Sequence, residues 1–365
     1  MHHTIDAERT SLRPDTDGDN APMLNQLLGN LAADGGGELI LPRRRWAIGG
    51  TITVPADVTL VIKRPATLEC LNDRDVLRIK PGGYVTGGGR IVNMAFAAGS
   101  EHAHLLYHGE DHFGVQKDVN PHGRARIEGA EQINLVGPYH GGVGVKLLCD
   151  GPGQIIHQLR FNNVNFLRGL YAFVIQCNSP GEAEGPLSWI HSIAVTHASM
   201  QWYHTYFRLD QTPRRTPEGE LCNSIQDVLA DGIMIQTMGQ RHEGWPITDI
   251  WGYNGRFRLH VWDPPGGDWP LYRFHPHSYH HRITTNVGPH RTDGNYSCRV
   301  TTPEDHTSIV DNYEHARKIS VEHHPGEHLI CRDGPDGAPC ILWNDGRRWW
   351  WNNDLRELPA DGVSP

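Results

Sequence analysis

The chain lacks the features that would place it in a membrane, on nucleic acid or in a disulfide scaffold. No apolar run approaches the roughly 18 residues that suggest a membrane span. The opening "MHHTIDAERTSLRP" lacks the basic-then-apolar layout of a secretory signal. A formal charge of −9 is the wrong sign for a nucleic-acid binder, whose footprint is a basic face. Seven cysteines, at 70, 149, 177, 222, 298, 331 and 340, cannot all pair within one chain, and no spacing among them makes a zinc ribbon. Cys70, Cys149 and Cys177 stand beside strand-like apolar residues and read as buried thiols. Cys331 and Cys340 flank "RDGPDGAP" and could bridge a hairpin, although synthesis inside a cell opposes disulfides. Helix is scarce as well.

The one helical pattern lies at about 21–34, where Met23, Leu24, Leu27, Leu28 and Leu31 recur at three- and four-residue steps. Asp19 and Asn20 offer a cap, Pro22 suits a first turn, and Gly35, Gly36 and Gly37 stop the helix. From Glu38 the period becomes two, with Leu39, Leu41, Ile48, Ile52, Val54, Val58, Leu60 and Ile62 as apolar beats. Proline or glycine interrupts every six to ten residues, consistent with 41 glycines and 25 prolines in 365 residues. Segments such as "GTITVPADVTLVIKRPATLECL" and "RFNNVNFLRGLYAFVIQ" keep this rhythm without repeating their sequence. Regular short strands of this kind mean a solenoid, a propeller or a sandwich.

Two features select the solenoid. An open stack of strands exposes unpaired edges at its end, and the initial amphipathic helix is suited to cover them. Asparagines between aliphatic triplets let the chain turn while side chains stack rung upon rung. The expected fold is all-β, a right-handed parallel β-helix over 21–330 with an N-terminal capping helix. An arm at 1–20 precedes it, and a hairpin-rich oligomerisation segment at 331–365 follows, where Asp-Gly pairs crowd. "PRRR" at 42–45 reads as a solvated strand edge.

The helix followed by "GGGELILPRRRWAIGGTITVPADVTLVIKRPATLE", with "GGYVTGGGRI" after it, resembles the opening of the pectate-lyase-like right-handed β-helix superfamily. Residues 19–93 carry the resemblance and the middle of the chain shares only its rhythm. It implies a fold common to pectate lyases, polygalacturonases and many tail-spike proteins of bacterial viruses. It transfers no catalytic residues. "LRIKP" at 77–81 stands far too early for the polygalacturonase Arg-Ile-Lys motif, that group's other motifs are missing, and "PYHGGVG" is not its Gly-His-Gly. No calcium-binding Asp cluster of the pectate-lyase kind is evident.

The densest functional stretch is 200–282. Aromatic faces stack on the C–H faces of sugars while neighbouring polar groups bond the hydroxyls. Trp202, Tyr203, Trp245, Trp251, Trp262 and Trp269, with Arg214, are accordingly the candidate glycan-binding residues. The alternative is that such rings fill the core or pack between subunits. Glycosidic hydrolysis needs two carboxylates. Asp210, Asp231 and Asp263 are the candidates, with Asp249, Asp268 and Glu243 behind them, although an Asp ending a strand is often only a turn former. A lyase would instead use a base and a charge neutraliser, for which His204, Arg208 or Arg273 would serve. His275 and His277 have a metal-compatible spacing, but with 24 histidines chance clustering is the plainer reading, and no metal or cofactor is assigned. Trp343 and Trp349–Trp351 call for burial, either at a subunit interface or against their own last rung.

The leading expectation is a virion tail spike or minor tail protein, made in the host cytoplasm, that binds cell-surface polysaccharide, with or without depolymerising it. It would form a homotrimer, contact other virion tail proteins, and neither bind nucleic acid nor insert in a membrane. The alternatives are a stand-alone polysaccharide lyase or glycoside hydrolase, and a non-catalytic structural adhesin.

Overall fold

The computed structural model describes residues 3–113, 128–178, 187–212, 214–215, 221–237, 244–263, 271–275, 278 and 280–286, with short strands beyond. Twenty-five strands form one continuous sheet wound upon itself, and its ladders are parallel. This is the parallel β-helix the aliphatic rhythm implied. Each of the first turns supplies a strand to each of three faces. The first face stacks Gly37–Leu41, Val58–Ile62, Tyr84–Thr86, Glu128–Glu131 and Leu159–Asn162. The second stacks Arg45–Ile48, Thr67–Cys70, Arg90–Val92 and Asn134–Val136, then the start of Asn165–Cys177. The third stacks Ile52–Val54, Leu77–Ile79, Ala103–His108 and Val143–Cys149, then the end of Asn165–Cys177.

Side chains alternate in and out along each strand, so inward positions become ladders along the axis. On the third face one ladder runs Val54, Ile79, Tyr107, Leu147, Ile175, Leu209, Ile250, Phe274, all buried. Rings of different faces meet in the middle. Tyr107–Phe161, Phe161–Phe173, Phe173–Phe207 and Phe207–Phe257 lie 5.4, 5.1, 6.0 and 5.4 Å apart between centroids, an aromatic spine through the core. Left-handed residues mark the corners: Asn163, His197 and Gly232 (φ 53, 53 and 65°) recur at the corner between the first and second faces. Asn165 donates to Asn134 on the preceding rung at 3.1 Å, as expected of asparagines stacked at a turn.

The helix Ala21–Ala33 closes the start of the solenoid, burying Ala21, Leu24, Leu28 and Leu31. Asp19 accepts from Ala21 N at 2.8 Å, and Gly36 (φ 99°) fits only as glycine because a Cβ would collide with the Asp57 carbonyl. The cap also pairs the open backbone of the first rung. Asn25 donates to Thr51 O at 3.0 Å and accepts from Thr53 N at 2.8 Å, while Asn20 donates to Ala47 O at 3.0 Å. The first residues are more than a polar arm, because His3–Asp6 adds a strand to the exposed edge of Gly37–Leu41. The arginines of "PRRR" are engaged too: Arg44 pairs with Asp15 at 3.0 Å, and Arg45 with Asp17 at 2.8 Å and with Glu69.

In the C-terminal segment, His328–Cys331, Cys340–Asn344, Trp349–Trp351 and Arg356–Glu357 pair antiparallel in sequence. Cys331 stands opposite Cys340, and Trp343 opposite Trp350. Among the described residues Cys70, Cys149 and Cys177 are buried free thiols, and no helix is long and apolar enough to cross a membrane.

Candidate functional site

On the third face one register position carries Lys146, Val174, Arg208, Asp249 and Arg273 on successive rungs, charged at every step except the buried Val174. The strand Ser199–Gln211 presents Arg208 and Asp210 side by side, and the shorter strands Thr248–Ile250 and Tyr272–Phe274 add Asp249 and Arg273. Before Thr248 the chain bulges outward through Gly244 (φ 81°), Trp245 and Pro246, and the Trp245 ring leans back over the face. A pocket of about 290 Å³ results, lined by Tyr171, Arg208, Trp245, Asp249 and Arg273 among others.

Arg208 is the hub. It donates to Glu101 at 2.9 Å and to Asp210 at 3.0 Å, and its guanidinium carbon lies 4.8 Å from the centre of the Tyr171 ring. Burial opposes its charge, but Tyr171, Glu101 and Asp210 outweigh that and raise its pKa. Burial also raises the Tyr171 hydroxyl, with Arg208 pulling the other way, so the phenol stays a proton donor at neutral pH. Asp249 pairs with Arg273 at 3.4 Å and with His275 at 3.2 Å, and His275 is stacked on Trp251 at 4.8 Å.

Under the rim lies His204, its ring 4.7 Å from that of Trp245. Its Nε2 stands 3.1 Å from the Tyr139 carbonyl, which fixes the tautomer: Nε2 carries the hydrogen and Nδ1 keeps a lone pair. That Nδ1 is buried and has no hydrogen-bond partner among the described residues. Burial lowers the pKa of the imidazole, so at neutral pH it is an uncharged base.

The residues singled out by sequence do not all gather here. Asp210 and Trp245 do, with Trp251 on the next rung up. Asp231 lies on the first face in register with Thr196 and pairs with Arg258 at 3.2 Å. Asp263 (φ 50°) follows Trp262 at the end of a second-face strand, and its carbonyl accepts from the Thr237 hydroxyl. These three carboxylates therefore do not converge on one bond. Tyr203 is fully buried between Phe166 and Tyr206, so its ring packs the core and is closed to a ligand. Trp202 (φ 60°) turns a corner beside Tyr139, 6.3 Å away, and Trp262 stands 52% exposed on another face. Trp269, Asp268, Glu243 and His277 lie outside the described residues, as does the side chain of Arg214. Among the described residues no three His, Cys, Asp or Glu side chains gather as a metal site.

Tyr171, Lys146 and Glu101 escaped the sequence reading. Tyr171 carries a signal once the rungs are aligned, because it falls in register with Val143 and Thr205. Glu101 carries none, reaching Arg208 from a loop 107 residues away.

No family model and no curated protein matches the chain. Several solved structures share its coiled architecture at low similarity. A putative glycosyl hydrolase from Parabacteroides merdae is 14% identical, with a TM-score of 0.39 over 61% of this chain and 100% of its own. The A-module of mannuronan C-5 epimerase AlgE4 from Azotobacter vinelandii is 9% identical, with a TM-score of 0.32 over 82% of this chain and 91% of its own. A mutant tailspike of E. coli bacteriophage HK620 in complex with pentasaccharide is 10% identical, with a TM-score of 0.36 over 85% of this chain and 66% of its own. At such identities the likeness concerns the coil and does not extend to what it binds.

Proposed function

We propose that the chain binds an acidic polysaccharide in the groove under Trp245 and cleaves it by elimination, acting as a tail spike or minor tail protein on a host surface. The observation that carries the reading is the grouping of a bare neutral imidazole, a shielded arginine and a protonated phenol around one aromatic rim. Elimination beside a uronate carboxyl needs these three parts: a base for the ring proton, a cation for the carboxylate, and an acid for the departing oxygen. His204 Nδ1 takes the proton, Arg208 with Arg273 holds the carboxylate, and the Tyr171 hydroxyl protonates the leaving oxygen. Trp245 supplies the stacking face, and a sugar displaces that ring to reach Nδ1. Hydrolysis is the weaker reading because Asp210 and Asp249, the candidate carboxylates that the described residues place in the groove, are both engaged by arginine.

The test is incubation with purified uronate-containing envelope polysaccharide. Rising ultraviolet absorbance from an unsaturated uronate is the expected result. New reducing ends without that absorbance would mean hydrolysis, and retained binding with neither would mean an adhesin. The spike role rests on the capped solenoid and its sequence resemblance, with a homotrimer as the expected assembly. Light scattering returning the mass of one chain would remove the trimer, and antibody labelling of virions that misses the tail would remove the location.

A further inference from the structure

The corner between the first and second faces disappears toward the C-terminal end. The strand Ile225–Gln236 still turns there at Gly232 (φ 65°), but its successor Arg256–Trp262 runs straight on, alternating exposed and buried throughout. The two strands differ by one residue at this point, with Ala230 and Ile233 pairing with Phe257 and Leu259. The extra residue opens a hollow of about 580 Å³ bordered by Met234, Arg258, His260, Thr284 and Asn286. Beside it runs an arginine column. Arg256, Arg282 and Arg299 occupy one register position on three successive rungs. Arg256 and Arg282 are exposed, and neither has a carboxylate partner among the described residues.

Unpaired like charges stacked about 4.8 Å apart repel one another and gain nothing from the fold. In a chain of net charge −9 such a column is conspicuous. We infer that this flattened face is a second glycan-binding surface, separate from the Trp245 groove, for a linear polysaccharide bearing one anionic group per sugar. The rung spacing matches the length of one pyranose in an extended chain, so successive arginines meet successive carboxylates or sulfates. The sugar rings lie over the hollow, about 6.6 Å to the side, which is one in-out repeat along a strand. There Thr284 and Asn286 meet their hydroxyls and Met234 their C–H faces. A stacked nucleic-acid strand advances about 3.4 Å per nucleotide and falls out of step with the rungs.

The experiment compares binding of an oligogalacturonate, a sulfated glucan oligomer, a neutral glucan oligomer and a short single-stranded oligonucleotide. The proteins are the wild type, Trp245→Ala, in which the groove is disabled, and the arginine variant Trp245→Ala/Arg256→Gln/Arg282→Gln, which removes the charged column in that same background. At least one anionic glycan is expected to bind, to keep residual binding in Trp245→Ala, and to lose tenfold or more of that residual affinity in the arginine variant with a flatter salt dependence. Which of the two anionic probes binds more tightly separates carboxylate from sulfate recognition. Undiminished binding by the arginine variant, no binding of either anionic glycan, or tighter binding of the oligonucleotide would each overturn the inference. Both arginines are exposed, so the variant is expected to fold like the wild type. Loss of the groove activity with this surface intact would count against the elimination reading alone.

Discussion

At Tyr203 and Trp245 similar ring chemistry serves opposite ends. Tyr203 is sealed in the core, whereas Trp245 rests on a glycine-initiated bulge with open space beneath it. Tyr203→Ala is therefore expected to cost about 3–5 kcal/mol by removing a buried ring. Trp245→Ala should leave the melting temperature nearly unchanged and weaken glycan binding. If the melting temperature falls equally in both variants, Trp245 belongs to the core. His281 gives a pH signature. It is fully buried and accepts a hydrogen bond from Gly255 N at 2.9 Å through Nδ1, and burial pushes its pKa down to about 4. The unfolded chain is then the better proton acceptor, with an imidazole near 6.5, so stability declines as pH falls from about 6.5 toward 4. Between pH 7 and pH 5 this one residue removes about 2 kcal/mol. His281→Asn keeps an acceptor for Gly255 and should reduce the pH dependence of urea unfolding by that amount. An unchanged slope would show that the imidazole is not held neutral.

Among the elements, the cap helix shows how polar side chains finish a solenoid. Leu24, Leu28 and Leu31 cover the end of the core, but the exposed edge of the first rung is met by Asn25 and Asn20. Asn25→Leu keeps the helix and the branched shape of the side chain while leaving Thr51 O and Thr53 N without their partner. A loss of about 1–3 kcal/mol in unfolding free energy is expected, with faster hydrogen exchange confined to the first rung. No loss would mean that water serves that edge equally well. This helix, its glycine stop and the strands after it were legible because each rests on local rules of periodicity, capping and turn chemistry. The site was only half legible. Arg208, Asp249 and Arg273 lie 41 and 24 positions apart in the chain, and only the parallel register stacks them. The sequence marks which residues end strands, but the length of each loop decides which strand ends share a face. Asp231 and Asp263 were separated from Asp210 for that reason.

For the whole molecule, stacking makes each rung depend chiefly on the rungs above and below it. The aromatic spine modifies this, because Phe173 touches Phe161 on another face as well as Phe207 on the next rung. Removing it leaves a cavity shared by several turns, whereas Ile283, also buried, sits on a strand near the described C-terminal end of the coil. Phe173→Ala is expected to destabilise by about 3–5 kcal/mol and Ile283→Val by about 0.5–1.5 kcal/mol. The more telling difference is in reach. Hydrogen exchange in Phe173→Ala should quicken across both Val143–Cys149 and Ser199–Gln211, which flank the lesion in register. In Ile283→Val it should quicken only from Arg256 onward, leaving the groove strands Ser199–Gln211 and Thr248–Ile250 protected. Exchange rising equally along the whole chain in both variants would mean that the coil unfolds as a single unit. A groove built on the middle rungs would then share its stability with the arginine face, and the two surfaces could not be weakened independently.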